Sequence, residues 1–78
     1  MDTRIGLHEL DVGQRAVVET LRITGGMRRR LLDMGLVEGT TVSCVSKAPG
    51  GNPIAFCIRG AVIALRIEDC RHIEVRRL

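Results

Sequence analysis

Glycine interrupts this sequence so often that little but short strands and tight turns fits between the breaks. Gly13, Gly25-Gly26, Gly35, Gly39, Gly50-Gly51 and Gly60 divide it into segments of strand length. The first such segment, 14–23, is rich in β-branched and aliphatic residues, with Glu19 and Arg22 predicting one face in water. In 40–47, Val42 and Cys44 alternate with Thr41 and Ser43, the pattern of a half-buried strand. A loop over 48–52 follows, where Pro49 lacks the amide proton a ladder needs, and this loop reads as a hairpin tip.

Two further strands meet at an Arg59-Gly60 turn, with Ile54, Phe56 and Ile58 on one face of the first and Ile63, Leu65 and Ile67 on one face of the second. These six side chains are the expected centre of the core. One helical or 3₁₀ turn is predicted over 68–71, and a last strand carries Ile73 and Val75 between His72, Glu74 and Arg76. Arg77 and Leu78 are expected to fray. A single helix is predicted over 27–34, since Met27, Leu31 and Met34 fall at i, i+4 and i+7 before the stop signal of Gly35. Five short strands with one helix and one helical turn predict a mainly β, small α+β fold. Closure into an SH3-like five-stranded barrel would remove the unpaired edges that invite aggregation.

Composition bounds the possibilities further. A chain of 78 residues has room for one core and buries only about 60% of its unfolded surface. Apolar residues form 45% and charged residues 27%, the balance of a globular chain rather than a disordered one. The net charge of +3 is too small to argue for nucleic acid, and Phe56, the sole aromatic residue, leaves no stacking platform for single-stranded bases. No apolar run approaches the roughly 20 residues of a membrane span, and 1–10 lacks the apolar core of a signal peptide. The odd set Cys44, Cys57 and Cys70 fits free thiols in a reducing, cytoplasmic setting better than a disulfide framework.

RRRLLDMGLVEG (28–39), APGGNPIAF (48–56), Gly60 and IALRIEDCRHIEV (63–75), with LHELDVGQ (7–14) ahead of them, together resemble FeoA, the small accessory protein of bacterial ferrous iron uptake. The resemblance covers nearly the whole chain, taken as one domain over 1–78. It implies an SH3-like barrel with short helices and, as partner, the membrane ferrous iron permease FeoB with its cytoplasmic GTP-binding domain. Glu38 stands where the family often has proline and Cys70 where it usually has alanine. Neither change threatens the fold: Glu38 makes a turn less rigid, and cysteine behaves as a small apolar residue. Similar barrels form C-terminal domains of iron-dependent repressors, so a metal-responsive regulatory module is the competing reading. The sequence reads as the barrel alone, without a helix-turn-helix.

The run Arg28, Arg29, Arg30 is placed by this reading in the first helical turn, where the positive end of the dipole disfavours cations by roughly 0.3 to 1 kcal/mol each. That cost motivates contact with an acidic partner surface or a phosphate, against a solvated face in which Arg29 pairs with Asp33. The second expected partner-binding surface is the loop Pro49, Gly50, Gly51, Asn52, because loops on a rigid scaffold commonly carry contacts. Candidate metal ligands are Cys44, Cys57, Cys70, His8 and His72, but no C-x-x-C or H-x-x-x-H pair supplies two ligands from one element. Cys44 and Cys70 read instead as buried small hydrophobes, His72 as an exposed strand position, and Cys57 as a partly exposed thiol. No metal or other cofactor is therefore expected, though binding of a transition metal ion by these residues is left open.

Ser43 and Ser46 lie on a strand, and Gly50-Gly51-Asn52 lacks the lysine and helix of a P-loop, so no catalytic residue is assigned. The sequence thus predicts a non-enzymatic adaptor that docks on FeoB, without nucleic acid binding or membrane insertion. Self-association through strand edges is compatible with it.

Overall fold

A computed structural model describes residues 4–78, and the first three positions of the expected domain lie outside the described residues. Six strands form one antiparallel sheet: β1 (Arg4–Gly6), β2 (Arg15–Leu21), β3 (Thr41–Lys47), β4 (Ile54–Ile58), β5 (Ala61–Leu65) and β6 (Ile73–Arg77). Their spatial order is β1-β6-β2-β3-β4-β5. Helix α1 (Gly25–Asp33) connects β2 to β3, and the one-turn helix α2 (Ile67–Cys70) connects β5 to β6. A 3₁₀ turn over Leu7–Glu9 follows β1, and a tight turn over Pro49–Gly51 tips the β3–β4 hairpin.

The sheet curls over its own inner face. Register shifts between Val18 and Thr20 in β2 and between Cys44 and Ser46 in β3 insert an extra residue on one side of each ladder, which bends a strand and increases its twist. Strand alternation then aims Ala16, Val18, Val42, Cys44, Ile54, Phe56, Ile58, Leu65, Ile73 and Val75 into one core. Leu31 of α1, Cys70 of α2, and Leu7 and Leu10 from the N-terminal turn close it from outside the sheet. Phe56 is fully buried and is the largest side chain there.

Four expectations need correction. The strand count is six, because three residues at β1 are too few for alternation to be legible, yet Ile5 pairs with Val75 and Arg4 with Arg76. The barrel does not close through hydrogen bonds: β1 and β5 are the two ends of the sheet, and no pairing joins them among the described residues. Ile63 and Ile67 are only partly buried, and Ile67 opens α2 instead of ending β5. The C-terminus is tied down, with Arg77 opposite Ala16 and the Leu78 N–H donating to the Arg15 carbonyl at 3.1 Å.

The helix also starts two residues earlier than its apolar spacing indicated, at Gly25. Glycine is a poor helix former, so the pair before Met27 read as a connection. At its other end Gly35 takes φ +92°, a left-handed conformation that stops the helix, and Arg59 packs across it so closely that an added Cβ would lie 2.7 Å from the Arg59 Cδ. Arg59 itself sits at φ +50° beside Gly60 at φ +83°, the pair of positive angles that a two-residue hairpin turn between β4 and β5 requires.

Candidate functional site

The arginine run of α1 does not act as one surface. Arg28 is half-buried, and its Nη1 donates to the Leu21 carbonyl at 2.7 Å, so its guanidinium ties the helix to the end of β2. Arg29 and Arg30 are exposed, and no ion pair joins Arg29 to Asp33 among the described residues. Because α1 spans Gly25–Asp33, only Arg28 reaches the end of the first turn. Arg30 falls in the last turn, where the negative end of the helix dipole favours a cation. The electrostatic cost inferred from the sequence is absent at Arg30, and exposure is what marks Arg29 and Arg30 as contact candidates.

The hairpin loop is likewise divided. Pro49 and Gly50 are exposed and Gly51 is half-buried. The side chain of Asn52 is used within the fold: its Oδ1 accepts the Ile67 N–H at 3.1 Å. That amide is one of the donors a helix start leaves without an intrahelical partner, and Arg66, at the cap position, offers it no side-chain bond. Asn52 thus caps α2 from a distance of 15 residues in sequence. Strand pairing sets the two candidate surfaces apart. Arg28 fastens α1 near Leu21, beyond the pairing of Val17 with Thr41 at the start of β3, whereas the loop leaves the other end of β3 at Lys47.

Of the five candidate metal ligands, Cys44 and Cys70 come near enough to influence one another. Among the described residues no group of three or more His, Cys, Asp or Glu side chains is placed to hold a metal ion. Cys44 and Cys70 are free and buried, and Cys57 is free and half-buried. Loss of hydration raises the pKa of both buried thiols, that of Cys70 to about 12, which suppresses the thiolate a metal or an oxidant would need. His72 is exposed in the turn before β6. His8 buries its Nδ1 without a hydrogen-bond partner, close enough to Gly6 that an added Cβ there would lie 2.6 Å from it.

Sequence reading missed the contacts that organise this surface. Glu9 Oε2 accepts the Gly6 N–H at 2.9 Å, and buried Thr40 donates its hydroxyl to the Gly35 carbonyl at 3.0 Å. The spacing of Gly6 and Glu9 was a legible signal for the first. On the outer face, Arg22 pairs with Glu74 at 3.7 Å and Arg76 with Glu19 at 3.2 Å, both exposed and worth little to stability. No ligand-sized pocket opens among the described residues, and Ser43 and Ser46 stand on β3. No helix there is long and apolar enough to cross a membrane.

A curled antiparallel sheet of this size, with a helix between its second and third strands and no enclosed site among the described residues, defines a small SH3-like domain. A sequence profile of the FeoA domain matches residues 5–77. The chain belongs to the FeoA family.

Over 69 residues, or 88% of its length, the chain is 39% identical to an Fe(2+) transport protein A/Fe(2+) transporter FeoB fusion protein of Porphyromonas gingivalis. It spans only 8% of that protein. The solution structure of FeoA from Chlorobium tepidum superimposes with a TM-score of 0.90 at 35% identity, covering 95% of this chain and 70% of that one. Stenotrophomonas maltophilia FeoA, described as an SH3 domain protein and solved with zinc, gives 0.81 at 33% identity over 91% of this chain and 88% of its own. T. acidophilum IdeR reaches a TM-score of 0.84 at 15% identity, covering 100% of this chain and 36% of that one, a likeness of fold alone.

Proposed function

We propose that this domain is a non-catalytic accessory of ferrous iron uptake that docks on the cytoplasmic part of a FeoB-type permease and modulates its assembly or activity. One observation carries the reading: in the Porphyromonas gingivalis relative, a protein A region and the transporter FeoB share one polypeptide. Fusion holds two parts at high effective concentration, the arrangement expected to favour an interaction useful between them. Exposed Arg29 and Arg30 on α1 and exposed Pro49 and Gly50 on the hairpin tip are the contact surfaces favoured within this reading. A cytoplasmic location follows from the same partnership, since the docking face on the permease lies on that side.

The fold supports surface recognition better than turnover. It offers no pocket among the described residues, and its two most buried thiols are held protonated. Removing the gene is expected to impair ferrous iron uptake, with restoration by the intact chain. Purified chain is expected to bind immobilised FeoB in a salt-dependent manner, since arginines contribute to the contact. Normal uptake in the deletion strain, together with no binding to FeoB, would remove the proposal.

A further inference from the structure

Strand β5 closes one end of the sheet with only β4 beside it among the described residues, and its sequence, Ala61–Leu65, contains no charge and no proline. Sheets usually protect such an edge with a charge, a proline, a bulge or a very short strand. The opposite edge follows that rule, since β1 has three residues and carries Arg4. β5 runs without a register shift against β4 over five residues, and Ala61, Val62 and Ala64 are exposed, Val62 at 62%.

The hairpin turn fixes which backbone groups are free. Ile58 and Ala61 flank the two-residue Arg59-Gly60 turn and so form its hydrogen-bonded pair. From there alternation turns the N–H and C=O of Ala61, Ile63 and Leu65 toward β4, and those of Val62 and Ala64 outward. The side chains beside this edge are small and apolar: Val62 faces Cys57, and Ala64 faces Ala55.

Charge says what fits there. From Thr40 to Ile67 there is no Asp or Glu, while Lys47, Arg59 and Arg66 are basic, and Arg59 and Arg66 stand exposed at the two ends of β5. A second copy adding its own β5 antiparallel would bring Arg66 beside the copied Arg59 at both ends, and a parallel copy would set each arginine against its equivalent. Self-pairing with full overlap of the two strands is therefore opposed in either direction.

We propose that the β5 edge binds an extended segment of another protein, apolar in its middle and acidic at its ends, which adds a strand to the sheet through the outward groups of Val62 and Ala64. The site uses a different strand edge from the earlier candidates, although its ends adjoin them: Arg59 packs across Gly35 just after α1, and Arg66 precedes Ile67, whose N–H donates to Asn52. It stands whether or not FeoB carries the segment, and its failure would leave the accessory reading untouched.

The test uses the intact chain and a synthetic peptide, acetyl-Glu-Glu-Thr-Val-Thr-Val-Thr-Glu-Glu-amide, followed by the backbone amide signals of the protein. The peptide is expected to shift the Val62 and Ala64 amides and slow their hydrogen exchange, while the same peptide with lysines for glutamates binds weakly. Val62→Pro removes an outward donor without taking a bond from the β4 ladder and should weaken binding by about tenfold. Val62→Thr, which keeps the donor, should bind like the parent, and exposed Arg66→Glu should weaken binding independently of any effect of proline on folding. Unmoved Val62 and Ala64 amides, equal affinity for the lysine peptide, or Arg66→Glu binding at parental strength would overturn the proposal. Concentration-dependent protection of the same amides without peptide would replace the acidic segment with a second copy as the occupant.

Discussion

Cys70 lies fully buried on α2, where loss of hydration, then the nearby charge of Asp69, then Cys44, raise its pKa from the ordinary 9.0 to about 12. The sign of the consequence follows from which state ionises first. Above pH 9.0 the unfolded chain sheds this proton while the folded chain keeps it, so the stabilisation is complete below that pH and is lost on the way to about 12. Stability should fall across this window with a slope of about 1.4 kcal/mol per pH unit from this group. Cys70→Ala should flatten the slope in denaturant titrations repeated across the window, leaving the part due to Cys44, whose pKa is also raised. An unchanged slope would assign it elsewhere. Gly35 is constrained twice, by its φ of +92° and by Arg59 across its face. Gly35→Ala should cost about 1 to 2 kcal/mol, and adding Arg59→Ala should recover the steric share but not the backbone share.

At the scale of elements, α2 is a helix of four residues, too short to hold itself and dependent on what its neighbours supply. Cys70 anchors its inner face and Asn52 satisfies its first amide from the β3–β4 hairpin. Asn52→Ala should therefore cost about 1 kcal/mol and speed amide exchange at Ile67, although the two residues belong to different elements. Helix α1 is held by the Leu31 contact to the core and by the Arg28 bond to Leu21. The sequence made the existence of both helices legible, through the Met27, Leu31, Met34 spacing and the break before Ile73. It did not show that one arginine of three and one loop residue of four were committed to fastening them. Those bonds depend on where a distant carbonyl or amide comes to rest, and local spacing holds no record of that.

For the molecule as a whole, the separation of the two candidate docking surfaces along β3 makes a prediction about FeoB binding. Replacing Arg29 and Arg30 by glutamine, and separately replacing Pro49 and Gly50 by alanine and serine, should weaken binding by factors that multiply in the combined variant. Sites at opposite ends of one strand that share no partner couple little. A combined loss no larger than either single loss would show that one surface is idle. Circular dichroism and thermal midpoints of the same variants separate lost contact from lost fold, a control needed above all at Gly50, whose φ of +83° a serine strains.

The alternation of Val42 and Cys44, of Ile54, Phe56 and Ile58, and of Ile73 and Val75 determined from the sequence alone that a small antiparallel sheet would form and which face of it would be dry. That inference holds because side-chain direction in a strand is a property of the backbone period. The sheet's openness, the sixth strand at Arg4–Gly6, the fastening of Arg28 and Asn52, and the bare edge at Ala61–Leu65 were decided by tertiary structure. Each of these depends on which segments become neighbours after the chain curls. A hydrogen bond between residues far apart in sequence has no periodic trace by which it can be read in advance.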